Sequence, residues 1–268
     1  MSDFLASIAE EQRARVAALR PRRRELAAHV ESRAREPLDL AAALRSASAR
    51  GAVAVIAEVK RRSPAAGELA TIADPGALAL EYALGGAAAI SVLTESPHFH
   101  GSLGDLARVR DCVRLPVLRK DFIVDELQLL EALAYGADAV LLIAELFAQE
   151  ILGSLLRAAG ELGLGALVEA HEPEALDRAI TSGATVIGIN QRDLRTLELD
   201  RGTAARLAGH VPADRVLVAE SGVALPADVR ALPLRVDAIL VGTALVGSIE
   251  AHRLVRDLAD ARRAEVSP

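Results

Sequence analysis

Val117-Leu118-Arg119-Lys120-Asp121-Phe122 is an apolar β-type run that ends abruptly in charge beside an aromatic ring. A buried strand of an α/β protein reads as a continuous apolar run, and the first charged residues past its carboxyl end sit at the mouth of the sheet or barrel, where ligands bind. Lys120 is therefore a candidate proton donor. Taken singly, Arg119, Lys120 and Asp121 fit an ordinary solvated loop equally well. Recurrence decides between the two, because the pattern returns along the chain.

The β-like apolar runs are Val53 to Val59, Ala88 to Leu93, Val117 to Leu118, Ala139 to Ile143, Ala166 to Val168, Val186 to Ile189, Val216 to Ala219 and Ala238 to Val241. Segments between them, such as Leu127 to Tyr135 and Ala175 to Ser182, carry apolar residues at helical spacing. Several end in Gly-Ala just before the next run: Gly85-Gly86-Ala87, Gly136-Ala137 and Gly183-Ala184. A βα unit repeated at roughly 20 to 35 residues implies a parallel sheet with crossover helices, and eight units imply closure as a (β/α)8 TIM barrel. An open doubly wound sheet is the alternative. It is weakened by the absence of a G-x-G-x-x-G turn after the first run, and the P-loop Gly-Lys-Ser/Thr is also missing.

The length of 268 residues suits one large barrel. Hydrophobic residues make up 51% but aromatic ones only 2%, so the core must be built from Ala, Leu, Val and Ile, and each ring is informative. A net charge of -6 argues against general affinity for nucleic acid or anionic membrane and leaves small anionic ligands in play. A single cysteine, Cys112, excludes an intramolecular disulfide, argues against a thiolate metal cluster and fits a reducing cytoplasm. Asp3, Glu10 and Glu11 interrupt the start, so no signal peptide is read, and no run reaches the length of a membrane span.

Residues from Met1 to about Arg50 are rich in Ala, Arg and Glu, with Leu5, Ile8, Val16 and Leu19 near helical spacing. They are expected to form an N-terminal helical extension, broken at Pro21 and Pro37, ahead of a barrel domain over 51–268. Arg22-Arg23-Arg24, close to Glu25, reads as a solvated helix face.

The residues at the strand ends are Glu58 and Lys60, Thr94 and Glu95, Lys120, Leu141 just inside the fourth strand, Glu169, Asn190, Glu220 with Ser221, and Gly242 with Thr243. Strand side chains alternate faces, so Glu58 and Lys60 project together. Two lysines and three carboxylates at one mouth are costly as mere packing, and proton transfer is a sufficient reason to keep them. Each group also has a plainer reading. Glu58, Lys60 and Lys120 fit a structural ion-pair network, Glu169 fits a cap for a helix starting at Glu172, and Asn190 fits an Asx-type loop contact. Ser63-Pro64 is turn chemistry first and ligand binding second.

Glu220-Ser221-Gly222 and Val241-Gly242-Thr243-Ala244 offer glycine amides and a hydroxyl ahead of helical stretches, after the two strands where such barrels often hold phosphate. Phe99 and Phe122 follow the second and third strands, as exposed loop rings that suit a flat apolar ligand or a cover for the mouth. His98 and His100 read as loop residues. No metal and no other cofactor is required.

These residues resemble a known family. Ile56-Ala57-Glu58-Val59-Lys60-Arg61-Arg62-Ser63-Pro64, Ser91-Val92-Leu93-Thr94-Glu95, Phe99-His100-Gly101-Ser102, Leu118-Arg119-Lys120-Asp121-Phe122-Ile123, Gly188-Ile189-Asn190-Gln191-Arg192-Asp193-Leu194 and Ala219-Glu220-Ser221-Gly222 look like indole-3-glycerol phosphate synthase of tryptophan biosynthesis. The likeness covers essentially Val53 to Val246, and the helical segment before it resembles the family's extension.

The resemblance implies a (β/α)8 lyase that closes the indole ring of 1-(2-carboxyphenylamino)-1-deoxyribulose 5-phosphate with release of carbon dioxide and water. It implies that Lys120 protonates the ketone, that Glu169 is the general base of the dehydration, and that Lys60 acts as acid or as anchor for an anionic group. Glu58, Asn190 and Glu220 would orient the lysines and substrate hydroxyls, with Ser221 lining the site. Ser63 and Arg192 would frame the substrate, Gly222, Gly242 and Thr243 would hold phosphate, and Phe99, Phe122 and Leu141 would wall the anthranilate ring. Ala65, Ala66 and Gln191 depart from the commonest pattern.

A Schiff-base aldolase or an aminoaldose-phosphate isomerase is the rival enzyme reading, and a catalytically silent phosphate sensor the rival from another class. The expected partner is a small phosphorylated molecule, without nucleic acid or membrane, for a cytoplasmic monomer or weak homo-oligomer.

Overall fold

The structure, a computed structural model, describes residues 4–32, 35–49 and 51–262. Eight parallel strands form the barrel: β1 (Ala54–Val59), β2 (Ala89–Leu93), β3 (Val117–Lys120), β4 (Ala139–Ile143), β5 (Gly165–Ala170), β6 (Val186–Asn190), β7 (Val216–Glu220) and β8 (Ala238–Val241). Each pairs with its neighbours in sequence, and β8 pairs back onto β1 through Ala54 opposite Ala238 and Ile56 opposite Leu240. The open-sheet alternative is thereby excluded.

The two-residue period of the strands sorts their side chains. Ala54, Ile56, Leu118, Leu141, Leu167, Val218 and Leu240 fill the barrel interior. Val55, Ala57, Val92, Val140, Val168, Ile187, Leu217 and Ile239 face the surrounding helices in a second apolar layer. Small and branched residues suffice in both layers, which is how a chain with so few rings builds its core. Each fully buried Val, Leu or Ile contributes about 1.5–3 kcal/mol.

The outer helices begin where the sequence supplies caps. Asp74 accepts from the Gly76 amide ahead of α4 (Pro75–Leu84), with Pro75 in the first turn; helices before β1 are α1 (Phe4–Leu19), α2 (Arg23–Glu31) and α3 (Leu40–Ser48). Ser102 caps α5 (Leu103–Cys112), and Asp125 with Gln128 forms a capping box on α6 (Glu126–Ala134). The outer set continues with α7 (Gln149–Glu161), α8 (Pro173–Thr181), α9 (Thr203–Leu207), α10 (Pro226–Ala231), α11 (Thr243–Val246) and α12 (Ala251–Ala259). The three Gly-Ala signals end α4, α6 and α8, with Gly86, Gly136 and Gly183 in the left-handed region.

Pro21 lies in a short 3-10 turn between α1 and α2, and Pro37 precedes α3. Arg22 pairs with Glu25 at 2.7 Å on an exposed face, as read from the sequence. Leu40 and Leu44 of α3 join the inner apolar cluster from the amino-terminal end, and Arg45 donates to the Asp214 carbonyl just before β7. Leu5 and Ile8 of α1 join the same cluster, and Phe4 lines the opposite, carboxyl-terminal mouth. Asp3, the junction residue Arg50 and residues 263–268 lie outside the described residues.

The apolar runs locate every strand but cut several short. β3 runs to Lys120 instead of Leu118, β5 to Ala170 instead of Val168, β6 to Asn190 and β7 to Glu220. Lys120 is paired opposite Leu93, Glu169 opposite Ile143, and Asn190 opposite Glu220. Pairing thus continues where the inward side chains turn polar, a boundary that apolarity alone misplaces.

Candidate active site

At the last inward position of its strand, Lys120 extends its ammonium between two acids. Its Nζ lies 3.0 Å from Glu169 Oε2 on β5 and 3.0 Å from Glu220 Oε2 on β7. Glu58 and Lys60 do project together, with Oε1 and Nζ 3.0 Å apart. Asn190 donates from Nδ2 to Glu169 Oε1 at 2.8 Å, and its Oδ1 accepts from the Ser221 hydroxyl at 2.8 Å. Five residues distant in sequence, Lys120, Glu169, Asn190, Glu220 and Ser221, thereby form one connected group. Glu169 caps no helix; Glu172 occupies the position ahead of α8.

The electrostatics follow from burial and proximity. Burial pushes the Lys120 ammonium down, but Glu169, Glu220 and Glu58 outweigh it and hold the pKa above the ordinary lysine value. Burial raises Glu169, yet Lys120 and the Asn190 amide bring it below the usual carboxylate range. Glu220 goes the other way. Burial, with the neighbouring Glu169 charge, overrides Lys120 and pushes its carboxyl up to about 8. Its Oε1 has no hydrogen-bond partner, whereas both oxygens of Glu169 are engaged, so the shared proton resides on Glu220. At neutral pH the group is one ammonium, one carboxylate and one carboxylic acid.

A cavity of about 440 Å³ opens over this group, large enough for a drug-sized ligand. Phe99, Phe122 and Leu141 form one side, with the two rings 6.2 Å apart and tilted by 39°. Phe122 is 5% exposed, so it is not the exposed loop ring expected; the apolar packing around β3 draws it into the wall. Gly222, Gly242 and Thr243 line another part, where Ser221 and Gly222 have φ of 66° and 77°. Ser63 and Arg192 also line the cavity, and the Arg192 guanidinium is tied to the Leu197 carbonyl at 2.7 Å. Ala65 and Ala66 lie on the rim of the first loop. Gln191 is turned away to hold the Ser221 carbonyl at 2.8 Å.

Other strand-end residues do not join the lysines. Thr94 donates to Asp121 at 2.7 Å, and Glu95 accepts the His98 and Phe99 amides at 2.8 and 3.1 Å, fixing the loop that carries Phe99. His98 pairs with Glu95 and lies edge-on to Phe4, while His100 approaches Glu68. Among the described residues no group of three His, Cys, Asp or Glu side chains is arranged to hold a metal. The sequence reading missed Phe4, Leu194 and Leu197 as cavity lining. Phe4 is one of only four phenylalanines, so its rarity was a usable signal, whereas the two leucines carry none.

Comparison with known proteins accords with this geometry. A family model described as indole-3-glycerol phosphate synthase matches residues 5–258. The indole-3-glycerol phosphate synthase of Mycolicibacterium vanbaalenii is 50% identical over 264 residues, covering 96% of this chain and 94% of the relative. That of Kineococcus radiotolerans is 49% identical, with coverage of 97% and 95%. Among solved structures, the tryptophan synthase alpha chain of Legionella pneumophila superposes with a TM-score of 0.62 at 14% identity, covering 85% of this chain and 98% of that one. A 3-hexulose-6-phosphate synthase also gives 0.62, at 16% identity, covering 78% and 99%. These two structural likenesses speak to the barrel alone.

Proposed function

The chain belongs to the indole-3-glycerol phosphate synthase family, and from that premise we propose that Lys120 is the general acid of its ring closure and Glu169 the general base of its dehydration. The enzyme is a carboxy-lyase of tryptophan biosynthesis. It converts 1-(2-carboxyphenylamino)-1-deoxyribulose 5-phosphate to indole-3-glycerol phosphate, carbon dioxide and water.

Lys120 donates a proton to the ketone oxygen as the ring carbon bearing the carboxylate attacks the ketone carbon. The bond to the carboxylate then breaks as carbon dioxide leaves, and its electron pair restores the aromatic ring. In the last step Glu169 takes up a proton while the hydroxyl departs as water with help from Lys60. Lys60 otherwise anchors an anionic group. Glu58 holds Lys60, Asn190 and Glu220 hold Glu169 and Lys120, and Ser221 holds Asn190. Ser63 and Arg192 frame the substrate, Gly222, Gly242 and Thr243 grip its phosphate, and Phe99, Phe122 and Leu141 enclose the anthranilate ring.

The observation that carries this reading is the placement of the Lys120 ammonium between Glu169 and Glu220 on the floor of a cavity with an apolar wall. The same placement speaks against a Schiff-base aldolase, whose lysine must be neutral to attack, because carboxylates on both sides favour the ammonium. Lys120→Ala is expected to keep the fold and lose about 10²- to 10⁴-fold in kcat, followed by indole-3-glycerol phosphate fluorescence. Unchanged turnover would end the assignment. No lysine adduct should be trapped by borohydride in the presence of substrate.

We further infer a cytoplasmic enzyme that works as a monomer or weak homo-oligomer, without nucleic acid or membrane. The net charge of -6 supports this, and among the described residues no helix is long and apolar enough to cross a membrane. Residues 1–50 serve as an extension over the barrel domain 51–268, as supported by Phe4 at the cavity.

A further inference from the structure

Glycine in the interior of a strand weakens it, and its presence there often marks a close approach by another group. Gly188 is such a residue: it occupies the middle of β6, two positions before Asn190, and its φ lies outside the left-handed region, so backbone conformation does not call for glycine. The space in front of it does. A Cβ built on Gly188 would lie 2.1 Å from Glu220 Oε1, 3.2 Å from Leu167 Cδ1 and 3.3 Å from Glu220 Cδ. The first contact is far inside van der Waals distance. What it strikes is the end of a side chain, so the backbone can stay while the carboxyl moves.

We propose that Gly188 is a positioning residue for the reaction, its missing side chain forming the seat that lets the Glu220 carboxyl reach Lys120. The inference rests on the reading of Lys120, Glu169 and Glu220 as the proton-transfer group. Glu220 Oε2 contacts Lys120 Nζ at 3.0 Å, while Oε1 lies over Gly188 without a hydrogen bond. Nothing but the contour of the strand therefore sets the height of Oε1. A methyl group there pushes the carboxyl along the barrel axis and changes the Lys120 contact.

The same relation recurs across the barrel. On β1, next to β8, the Glu58 carboxyl sits over Gly242, where a Cβ would lie 2.4 Å from Glu58 Oε1. In both cases an acid that touches a lysine rests on a glycine at the end or middle of the preceding strand. The repetition separates the device from an accident of packing in one strand.

The test is a double-mutant cycle on the whole chain with Gly188→Ala and Glu220→Ala, read by kcat and KM from product fluorescence and by melting temperature. Gly188→Ala alone is expected to lower kcat on the order of 10- to 100-fold, the scale of an ångström misplacement of a catalytic group, with KM far less changed. In the Glu220→Ala background, where the carboxyl is gone, it should change kcat less than about twofold. Glu220→Asp, which withdraws the carboxyl by one methylene, should restore part of the activity lost in Gly188→Ala.

Wild-type kcat in Gly188→Ala would overturn the proposal, as would an equal loss with and without Glu220. If the methyl impairs folding, the cycle is read in melting temperature, where a deficit not relieved by Glu220→Ala assigns the glycine to the fold alone and also overturns it. Impaired Glu220→Ala beside unimpaired Gly188→Ala leaves the acid-base assignment standing. Wild-type turnover in both Glu220→Ala and Lys120→Ala defeats that assignment and this inference together.

Discussion

Lys120 and Asp121 are consecutive residues with opposite commitments. The Lys120 ammonium lies 3.0 Å from Glu169 and Glu220 at the cavity, whereas the Asp121 carboxylate lies 2.9 Å from Arg119 and 3.3 Å from Arg15 of α1. Arg119 and Arg15 also reach Glu131 of α6, at 2.8 and 3.2 Å. Two guanidinium groups and two carboxylates thus balance in a network that ties α1 and α6 to β3. The alternation of a strand separates this structural charge from the chemical charge one residue away.

Arg119 is fully buried, so removing it leaves Asp121 and Glu131 with one cation between them. Arg119→Met is expected to cost about 3–5 kcal/mol of stability by denaturant titration, as for other broken buried pairs. Arg15, whose side chain is 36% exposed, should cost about 1 kcal/mol or less as Arg15→Gln, because solvent screens its contribution. Equal and negligible effects would contradict the role given to the network.

The Glu220 carboxyl is pushed up to about 8 chiefly by burial, with Glu169 adding to it against the pull of Lys120. A folded-state pKa above the unfolded value means that the folded state holds the proton more tightly. The Glu220 contribution to stability is thus fully present below about pH 4.3 and is lost as pH rises through 8. Melting temperatures from pH 5 to 9 should fall more steeply in the native chain than in Glu220→Gln, which cannot ionise. Above pH 8 the second carboxylate also holds the Lys120 proton more firmly, so kcat/KM should decline there. Parallel melting curves for the two proteins would remove the basis for this protonation state.

The barrel was legible because each βα unit repeats the same contrast between an apolar strand and a helix ended by Gly-Ala. Lys120, Glu169, Asn190 and Glu220 were legible because they are the first polar side chains after such runs. What periodicity could not supply was the last pair of each strand, since Lys120 and Glu220 are paired residues that break the apolar pattern. Nor could it separate Arg119 and Asp121 from Lys120, because that needs the strand to be known to continue through Lys120. Phe4 was out of reach for a different reason: its place at the cavity depends on how α1 crosses the mouth, and no local pattern encodes that contact.

Ser221 and Gly222 are consecutive residues with positive φ, but only one of them is glycine. A non-glycine residue in this region costs roughly 1–2 kcal/mol. Ser221 recovers part of that through its hydroxyl, which donates to Asn190 Oδ1 at 2.8 Å. Gly222 has no such bond to set against strain, and a Cβ there would lie 3.2 Å from Gln191 Nε2, the group that holds the Ser221 carbonyl. Gly222→Ala is therefore expected to distort the turn at the phosphate end of the cavity while leaving Lys120 and Glu169 in place. The outcome should be a KM raised by about tenfold, equivalent to about 1.4 kcal/mol of lost binding, with kcat within about threefold of the native value. Inorganic phosphate, used as a competitive inhibitor, should weaken by a similar factor. A variant with lowered kcat, unchanged KM and unchanged phosphate inhibition would show that this turn serves the proton-transfer group and not the phosphate.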